Sequence, residues 1–487
     1  MKILSDILYQ TRIQEVAGST NVAVEHVEMD SRAVKPFSLF VAVRGTQVDG
    51  HDYIEQAIAK GAVAIVCEKI PTNLPSSVVA VRVQNSAMSL GLIAANFFDN
   101  PSEKIKVVAI TGTNGKTTTA TLLHSLFRKM GKKAGLLSTV QNIIIDQVQP
   151  STHTTPNAIE LNRLFNGMIE KGCTHCFIEA SSHAIHQHRV TGTQFAGAVF
   201  TNISHDHLDY HNTFNEYIKA KKALFDQLPS NAFALVNNDD VHGETMLHDT
   251  KAKKKSYGLK TMADYRAKVL ESRLSGLHMN LDGKELFSPI IGNFNASNLL
   301  AVYAVAMEIG LDQMDTLTYI STLTAVEGRF QHISTPGNVT AVVDYAHTPD
   351  ALENVLKTIK SIRTGNEQVI TVVGCGGDRD VSKRPLMAQI ATDLSNQVIL
   401  TSDNPRSESP EAIIKDMKKG LDPIALAKTI TLSDRAEAIK LACTLAKKDD
   451  IVLIAGKGHE KYQDIKGVKH AFDDMEIVST NLKMLQK

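Results

Sequence analysis

Short apolar runs rich in β-branched side chains recur along this chain: VVAIT (residues 107–111), CFIEAS (176–181), GAVFTNI (197–203), VTAVV (339–343) and QVILT (397–401). Segments with one apolar face lie between them, such as TATLLHSLFRKMG (119–131) and EAIIKDMKKGL (411–421). Strand-like runs alternating with amphipathic helices predict an α/β fold in which crossover helices cover parallel strands. The alternation breaks at two seams. One lies near Asn100-Pro101-Ser102-Glu103, after the helical SLGLIAANFF (89–98). The other lies near Ser334-Thr335-Pro336-Gly337-Asn338, where the pattern restarts and runs to the end.

A chain of 487 residues is too long for one core. At roughly 100 to 200 residues per domain, about three domains are expected. Lysine plus arginine (52) balance aspartate plus glutamate (52), so no global basic field gathers nucleic acid, while local pockets for small anions stay possible. The five cysteines are dispersed, as suits a reducing compartment. The start, MKILSDILYQ, breaks its apolar run at Asp6 and does not read as a secretory signal, and no window approaches a membrane span. The expectation is a soluble, cytoplasmic protein without nucleic-acid or membrane partners.

The segment VVAITGTNGKTTTATLL (107–123) puts a buried strand, a glycine loop and a helix start in succession. Gly112 and Gly115 let backbone N–H groups face an anion, Lys116 adds a mobile cation, and Thr117 places a hydroxyl where Mg²⁺ bridges phosphates. The loop is shorter than G-x-x-x-x-G-K-[ST], since Ile110 stands where the first glycine would be. This identifies a nucleoside triphosphate site but no reaction.

Two further strands end in polar clusters, Glu179-Ala180-Ser181-Ser182-His183 and Thr201-Asn202-Ile203-Ser204-His205-Asp206-His207. Carboxyl ends of neighbouring parallel strands line one crevice, so Glu179 and His207 are candidate metal ligands facing the nucleotide. Hydroxyl, carboxylate and phosphate oxygens favour Mg²⁺ over zinc. Cys173-Thr174-His175-Cys176 is a single pair without a second one, which argues against a zinc knuckle. Gly374-Cys375-Gly376-Gly377-Asp378-Arg379 fails the dinucleotide fingerprint because Arg379 stands at the third glycine position. The stretch SDNPRSESP (402–410) reads first as a turn leading into a helix.

Taken in order, TGTNGKTTT (111–119), HTTP (153–156), EASSHAIHQHR (179–189), TNISHDHLDYH (201–211), YIKAKKALF (217–225), GNFNASN (292–298), GRFQ (328–331), DYAHTPDAL (344–352), GCGGDRDVSKRPLM (374–387), DNPR (403–406) and GKGHE (456–460) resemble the Mur ligases of bacterial cell-wall synthesis. The resemblance spans nearly the whole chain. It implies three α/β domains: an N-terminal UDP-sugar-binding domain (1–102), a central P-loop-type ATPase-like domain (103–335) and a C-terminal Rossmann-like amino-acid-binding domain (336–487). It implies ATP-dependent addition of meso-2,6-diaminopimelate to UDP-N-acetylmuramoyl-L-alanyl-D-glutamate in peptidoglycan precursor synthesis, by a monomer, through an acyl phosphate.

Carried over position by position, the resemblance implies ATP binding by Gly112, Thr113, Asn114, Gly115, Lys116, Thr117, Thr118, Asn298, Arg329, Asp344 and His347. The nucleotide-sugar dipeptide falls to Ser31, Thr46, Gln47, Val48, Thr154, Thr155, Ser181, Gln187 and Arg189, with His153 standing where asparagine is usual. Two Mg²⁺ ions are implied at Thr117, Glu179, His207 and Lys221. Lys221 serves as an anionic ligand once CO₂ has carbamylated it; Tyr217, Ala220, Leu224 and Phe225 match the surrounding pattern. Lys116, Lys221, His207 and Glu179 are the implied catalytic set. Diaminopimelate is assigned Arg379, Asp403, Asn404, Pro405, Arg406, Gly456 and Glu460.

Joining an amine to a carboxylate in water is uphill, and phosphorylating the carboxylate first brings two anions together, which demands cations. Asp344 and His347 lie beyond the second seam, so the last domain is expected to close over ATP. Diaminopimelate differs from lysine by a second amino-acid head: Arg406 can take its carboxylate bidentately, Asp403 can oppose its ammonium, and Pro405 limits how far the loop strays. The same reaction with L-lysine stays open, as does a nucleotide-dependent switch that makes no bond. HTTP, DNPR and GKGHE together disfavour a folylpolyglutamate-synthase relative.

Overall fold

The computed structural model describes residues 1–487 apart from 46, 47, 152, 207, 336 and 338, and apart from the side chains of residues 150, 208 and 209. Among the described residues three larger sheets follow one another along the chain, with two two-stranded ribbons beside them. The first has five strands in the order Ile13–Ala17, Val79–Val83, Ala62–Cys67, Ser38–Val41 and His26–Glu28, parallel except for the first pair. Its interior strands are almost wholly buried, as strands covered on both faces must be.

The second sheet has eleven strands, and its centre carries the chemistry. There Ala134–Leu137, His175–Glu179, Lys106–Thr111, Phe195–Phe200 and Phe233–Asn237 lie parallel and side by side. Helices Lys116–Lys129 and Asn293–Ile309 cover one face through Leu122, Leu126, Leu299 and Val302, while Ala158–Glu170 and Phe214–Asp226 cover the other through Leu161, Phe165, Leu224 and Phe225. Beyond it, Tyr265–Arg273, Gly276–Leu281 and Lys284–Ser288 extend the sheet as an antiparallel meander.

The third sheet runs Gln331–Ser334, Thr340–Asp344, Ile451–Ala455, Val369–Val373, Gln397–Leu400 and Thr429–Thr431. All its pairings are parallel except the first. Gln331–Ser334 pairs antiparallel with Thr340–Asp344 and so already belongs to the third sheet. The boundary expected between 335 and 336 therefore falls earlier, before Gln331. The Pro, Gly and Asn of this stretch stand between two paired strands of one sheet, in a composition that mimics a linker. At the first seam, Asn100 adopts a left-handed conformation (φ 49°) before Pro101, and Ser102 Oγ accepts the N–H of Gln194 at 2.9 Å, fastening the crossing to the central domain. Among the described residues, no helix is long and apolar enough to cross a membrane.

Candidate active site

The phosphate loop leaves the end of Lys106–Thr111 and enters helix Lys116–Lys129. Gly112 (φ 150°) and Gly115 (φ 86°) have backbone angles that side chains disfavour. A Cβ on Gly112 would also overlap Thr201 Oγ1, and one on Gly115 would lie 2.6 Å from Asn298 Oδ1. The loop is held from the neighbouring strand end: Thr201 Oγ1 donates to the Asn114 carbonyl at 2.6 Å, and Asn202 Oδ1 accepts the Asn114 N–H at 2.9 Å. Lys116 Nζ folds back onto the carbonyls of Gly112 and Thr113 at 2.9 and 2.8 Å. Burial draws its pKa down, while Glu179 and Asp206 pull it up.

Glu179 ends the adjacent parallel strand and is fully buried. Its carboxylate accepts from Thr117 Oγ1 at 3.0 Å, from Thr139 N at 2.9 Å and from Thr139 Oγ1 at 3.1 Å. Among the described residues it has no ion-pair partner within 4.0 Å. A buried carboxylate surrounded by hydroxyls suits a hard cation in chemistry, and a charge so placed needs compensation. Among the described residues no three His, Cys, Asp or Glu side chains gather as a ready cage. An ion here would therefore take Thr117, Glu179 and substrate oxygens. His207, the other expected ligand, lies outside the described residues, as do Thr46 and Gln47.

Lys221 projects from helix Phe214–Asp226 to the same point and is 1% exposed. Its Nζ donates to the Gly112 carbonyl at 2.8 Å and lies 4.5 Å from the centre of the Tyr217 ring. Burial pushes its pKa well below the usual lysine range, neighbouring Lys116 pushes it further, and Asp206 opposes both. Tyr217 OH in turn shares a 3.1 Å hydrogen bond with Thr113 Oγ1.

The residues assigned to the dipeptide gather on the other side of Glu179. Thr155 Oγ1 donates to the Glu179 carbonyl at 2.7 Å and accepts the Ser181 N–H at 3.1 Å. Arg189 reaches the Thr155 carbonyl at 3.0 Å and Gln187 Oε1 at 2.6 Å, Gln187 Nε2 meets Tyr210 OH at 3.0 Å, and Thr154 Oγ1 shares a 3.1 Å hydrogen bond with Thr139 Oγ1. Ser31 sits in the first domain, donating to Gln56 Oε1 at 2.7 Å, and Val48 is exposed.

The third domain reaches the loop directly. Arg329 Nη2 donates to Thr117 Oγ1 at 3.1 Å, and its guanidinium lies 4.5 Å from the Tyr345 ring centre. Asp344 Oδ2 accepts the Phe330 N–H at 2.6 Å; burial raises its carboxyl to about 6 against the pull of Arg329. His347 Nδ1 lies 2.9 Å from the Tyr345 carbonyl. Gly328 is left-handed (φ 64°), and a Cβ there would overlap the backbone of Gly458 and His459. The turn at Gly328 is thus seated on GKGHE.

The DNPR turn joins Gly374–Arg379 and GKGHE at the strand ends of the third sheet. Gly377 N donates to the Asn404 carbonyl at 2.9 Å, and Arg406 Nη1 to the Gly377 carbonyl at 2.6 Å. Asn404 Nδ2 donates to Glu460 Oε2 at 2.7 Å, and Asp403 lies beneath Gly456. Arg379 is exposed at the edge of the cluster. Sequence reasoning missed three parts of this centre. Thr139 was findable, because it follows the strand beside Glu179. Lys457 is fully buried, donating to Asn404 Oδ1 at 2.9 Å and pairing with Glu460 at 3.1 Å. Arg384, 1% exposed, pairs with Glu408 at 2.7 Å and Asp416 at 3.0 Å, tying the loops together. Nothing in the spacing of these last two announced a partner. Cys173 and Cys176 are buried and free, with His175 packed on Phe127.

Comparison with known proteins gives three consecutive family matches. They are to a Mur ligase family, catalytic domain model over residues 23–98, a Mur ligase middle domain over 110–306, and a Mur ligase, glutamate ligase domain over 328–458. The UDP-N-acetylmuramoyl-L-alanyl-D-glutamate--2,6-diaminopimelate ligase of Cytophaga hutchinsonii is 53% identical, covering 99% of this chain and 100% of that one. That of Parabacteroides distasonis is 52% identical over 97% of each. A solved structure of a ligase with the same description superposes with a TM-score of 0.69 at 36% identity, covering 95% and 96% of the two chains.

Proposed function

The chain belongs to the Mur ligase family, and on that premise we propose that it joins meso-2,6-diaminopimelate to the D-glutamyl γ-carboxylate of UDP-N-acetylmuramoyl-L-alanyl-D-glutamate, converting ATP to ADP and phosphate. An oxygen of the acceptor carboxylate attacks the γ-phosphorus and the bond to ADP breaks. The amine then attacks the acyl carbon, a C–N bond forms, and phosphate leaves as the nitrogen loses its proton.

The phosphate loop wraps the triphosphate with backbone N–H groups, and Lys116 swings from its two carbonyls to the transferring phosphoryl group. Thr117 and Glu179 are the residues that would hold Mg²⁺, which supplies neutralisation of phosphate charge when bound. Arg329 brings a second cation from across the domain boundary. Arg189, Gln187, Ser181 and Thr155 orient the acceptor against this centre. Asn298, Asp344 and His347 hold the nucleoside side.

Lys221 is read as a carbamate. Its buried, weakly basic amine can attack the carbon of CO₂ and lose a proton, turning a cation beside Lys116 into an anion. That change relieves the repulsion between two lysines that contact the same Gly112 carbonyl.

The observation that carries the choice of amino acid is the DNPR turn, clasped by Gly377 on one side and by Glu460 and Lys457 on the other. A site holding a guanidinium and two carboxylates in fixed positions matches a second zwitterionic head and leaves lysine one head short. The test is phosphate release by the purified protein supplied with ATP, the nucleotide-sugar dipeptide and either diaminopimelate or lysine. Release should require all three substrates and favour diaminopimelate by a hundredfold or more. Release with ATP alone, or equal use of lysine, would overturn the reading.

A further inference from the structure

Asp350 lies in the first turn of helix Pro349–Ile362 in the last domain, where the helix N-terminus favours a carboxylate. Thr348 caps that helix through the N–H of Ala351, so the base of the acid is anchored. Its Oδ2 crosses to the central domain and accepts two hydrogen bonds, from Asn114 Nδ2 at 2.9 Å and from Ser204 Oγ at 2.9 Å. Asn114 is part of the phosphate loop, and its backbone N–H and carbonyl are already held by Thr201 and Asn202. The side-chain amide is the polar group it has left, and that amide goes to the last domain. Ser204 is tied to the loop as well: its N–H donates to Thr113 Oγ1 at 3.0 Å, and its carbonyl accepts from the same hydroxyl at 3.3 Å.

One carboxylate oxygen from the closing domain therefore grips two segments that both shape the phosphate loop. We infer that Asp350 is a positioning residue through which approach of the last domain orients Thr113 and Asn114 for phosphoryl transfer. The inference rests on the ligase reading above. Asp350 does not touch the reacting atoms. It acts through Asn114 and Ser204, whose groups would otherwise turn toward water when the domains part. Hydrogen bonds to an ionised acceptor are stronger and more directional than neutral ones, which suits a contact that must form only in the closed arrangement. The contact makes the chemical step depend on closure, so that acyl phosphate forms only when the amino-acid site is already in place.

The test compares Asp350→Ala, Asp350→Asn and Ser204→Ala with the wild type in the full three-substrate reaction, with ATP affinity from displacement of a fluorescent ATP analogue and thermal melting in parallel. For Asp350→Ala, kcat should fall about tenfold, which is about 1.4 kcal/mol of barrier, while ATP Kd and Tm stay near the wild-type values. Asp350→Asn, whose amide oxygen can accept the same two bonds, should recover to within about threefold of wild type. Ser204→Ala should lose about threefold in kcat. An unchanged kcat in Asp350→Ala overturns the inference. So does a loss confined to ATP affinity, or tighter ATP binding without loss of kcat, which would make Asp350 a competitor of phosphate for Asn114. Asparagine performing no better than alanine also overturns it. A wild type that forms no product overturns the ligase reading and this inference together; an active wild type with any of the other outcomes overturns this inference alone.

Discussion

Lys221 Nζ donates to the carbonyl of Gly112 at 2.8 Å, so a fully buried amine and the first glycine of the phosphate loop share a hydrogen bond. Lys116 Nζ sits on the same carbonyl at 2.9 Å. Charging both amines on one acceptor would be repulsive; burial draws both pKa values down, and Lys116 pushes that of Lys221 further.

Replacing Lys221 by alanine should lower kcat by a hundredfold or more while leaving a folded protein. Added formate or another short carboxylate should restore part of the activity by standing in for the carbamate. The check is an activity titration with formate alongside a melting curve. A folded variant with undiminished activity would remove the carbamate from the mechanism.

Arg406 reaches its place through a left-handed backbone (φ 51°) and a 2.6 Å contact with the Gly377 carbonyl. Arg406→Ala should raise KM for diaminopimelate by about a hundredfold, as expected when a bidentate carboxylate partner is lost, with KM for ATP changing less than about threefold. Steady-state kinetics with each substrate varied in turn decides it. Equal loss on both substrates would make the turn structural.

Gly328 sits under the backbone of Gly458 and His459, next to Arg329, whose guanidinium contacts Thr117. Gly328→Ala forces that contact apart and asks alanine to hold a positive φ. The expected outcome is a protein of normal secondary structure whose kcat falls at least tenfold, with a more open small-angle scattering profile in the presence of ATP and acceptor. Closure indistinguishable from wild type would show that the turn at Gly328 tolerates the methyl group.

Burial holds His124 and His175 at about 4 and His459 at about 3, against an ordinary value of 6.5. Between about pH 6.5 and 4 the unfolded chain therefore binds more protons at these groups, and stability falls as pH falls. Asp344, raised to about 6 by burial, acts in the opposite sense, since the folded state holds its proton and loses that advantage as pH rises through about 6. Three histidines outweigh one carboxylate. The urea midpoint should drop between pH 7 and 5, and His175→Gln should make that slope shallower. In activity, the limb below about pH 6 should reflect protonation of Asp344, and a pH profile of kcat for Asp344→Asn should lack it.

The phosphate loop, the strand ends at Glu179 and Thr201, and the α/β alternation were all legible in the residues, because glycine placement and β-branched runs are local consequences of backbone sterics. The motif order identified the family for a related reason: many of the motifs sit at strand ends, which line up in a parallel sheet, while YIKAKKALF lies on helix Phe214–Asp226 and GNFNASN opens helix Asn293–Ile309. The second seam was misplaced because a hairpin turn and a domain linker use the same Pro, Gly and Asn chemistry, and only the pairing of Gln331–Ser334 with Thr340–Asp344 separates them.

What the sequence by itself determined was the set of chemical groups and the scaffold type. The tertiary structure decided which groups share a site. Asp350 is 236 residues from Asn114, and Arg329 is 212 from Thr117. Lys457 finds Asn404 across 53 residues, and Arg384 finds Glu408 across 24. No periodicity encodes such pairs: the first two arise where the second and third sheets present their strand ends to one cleft, and the last two where neighbouring loops of the third sheet meet, so their geometry belongs to the packed molecule alone.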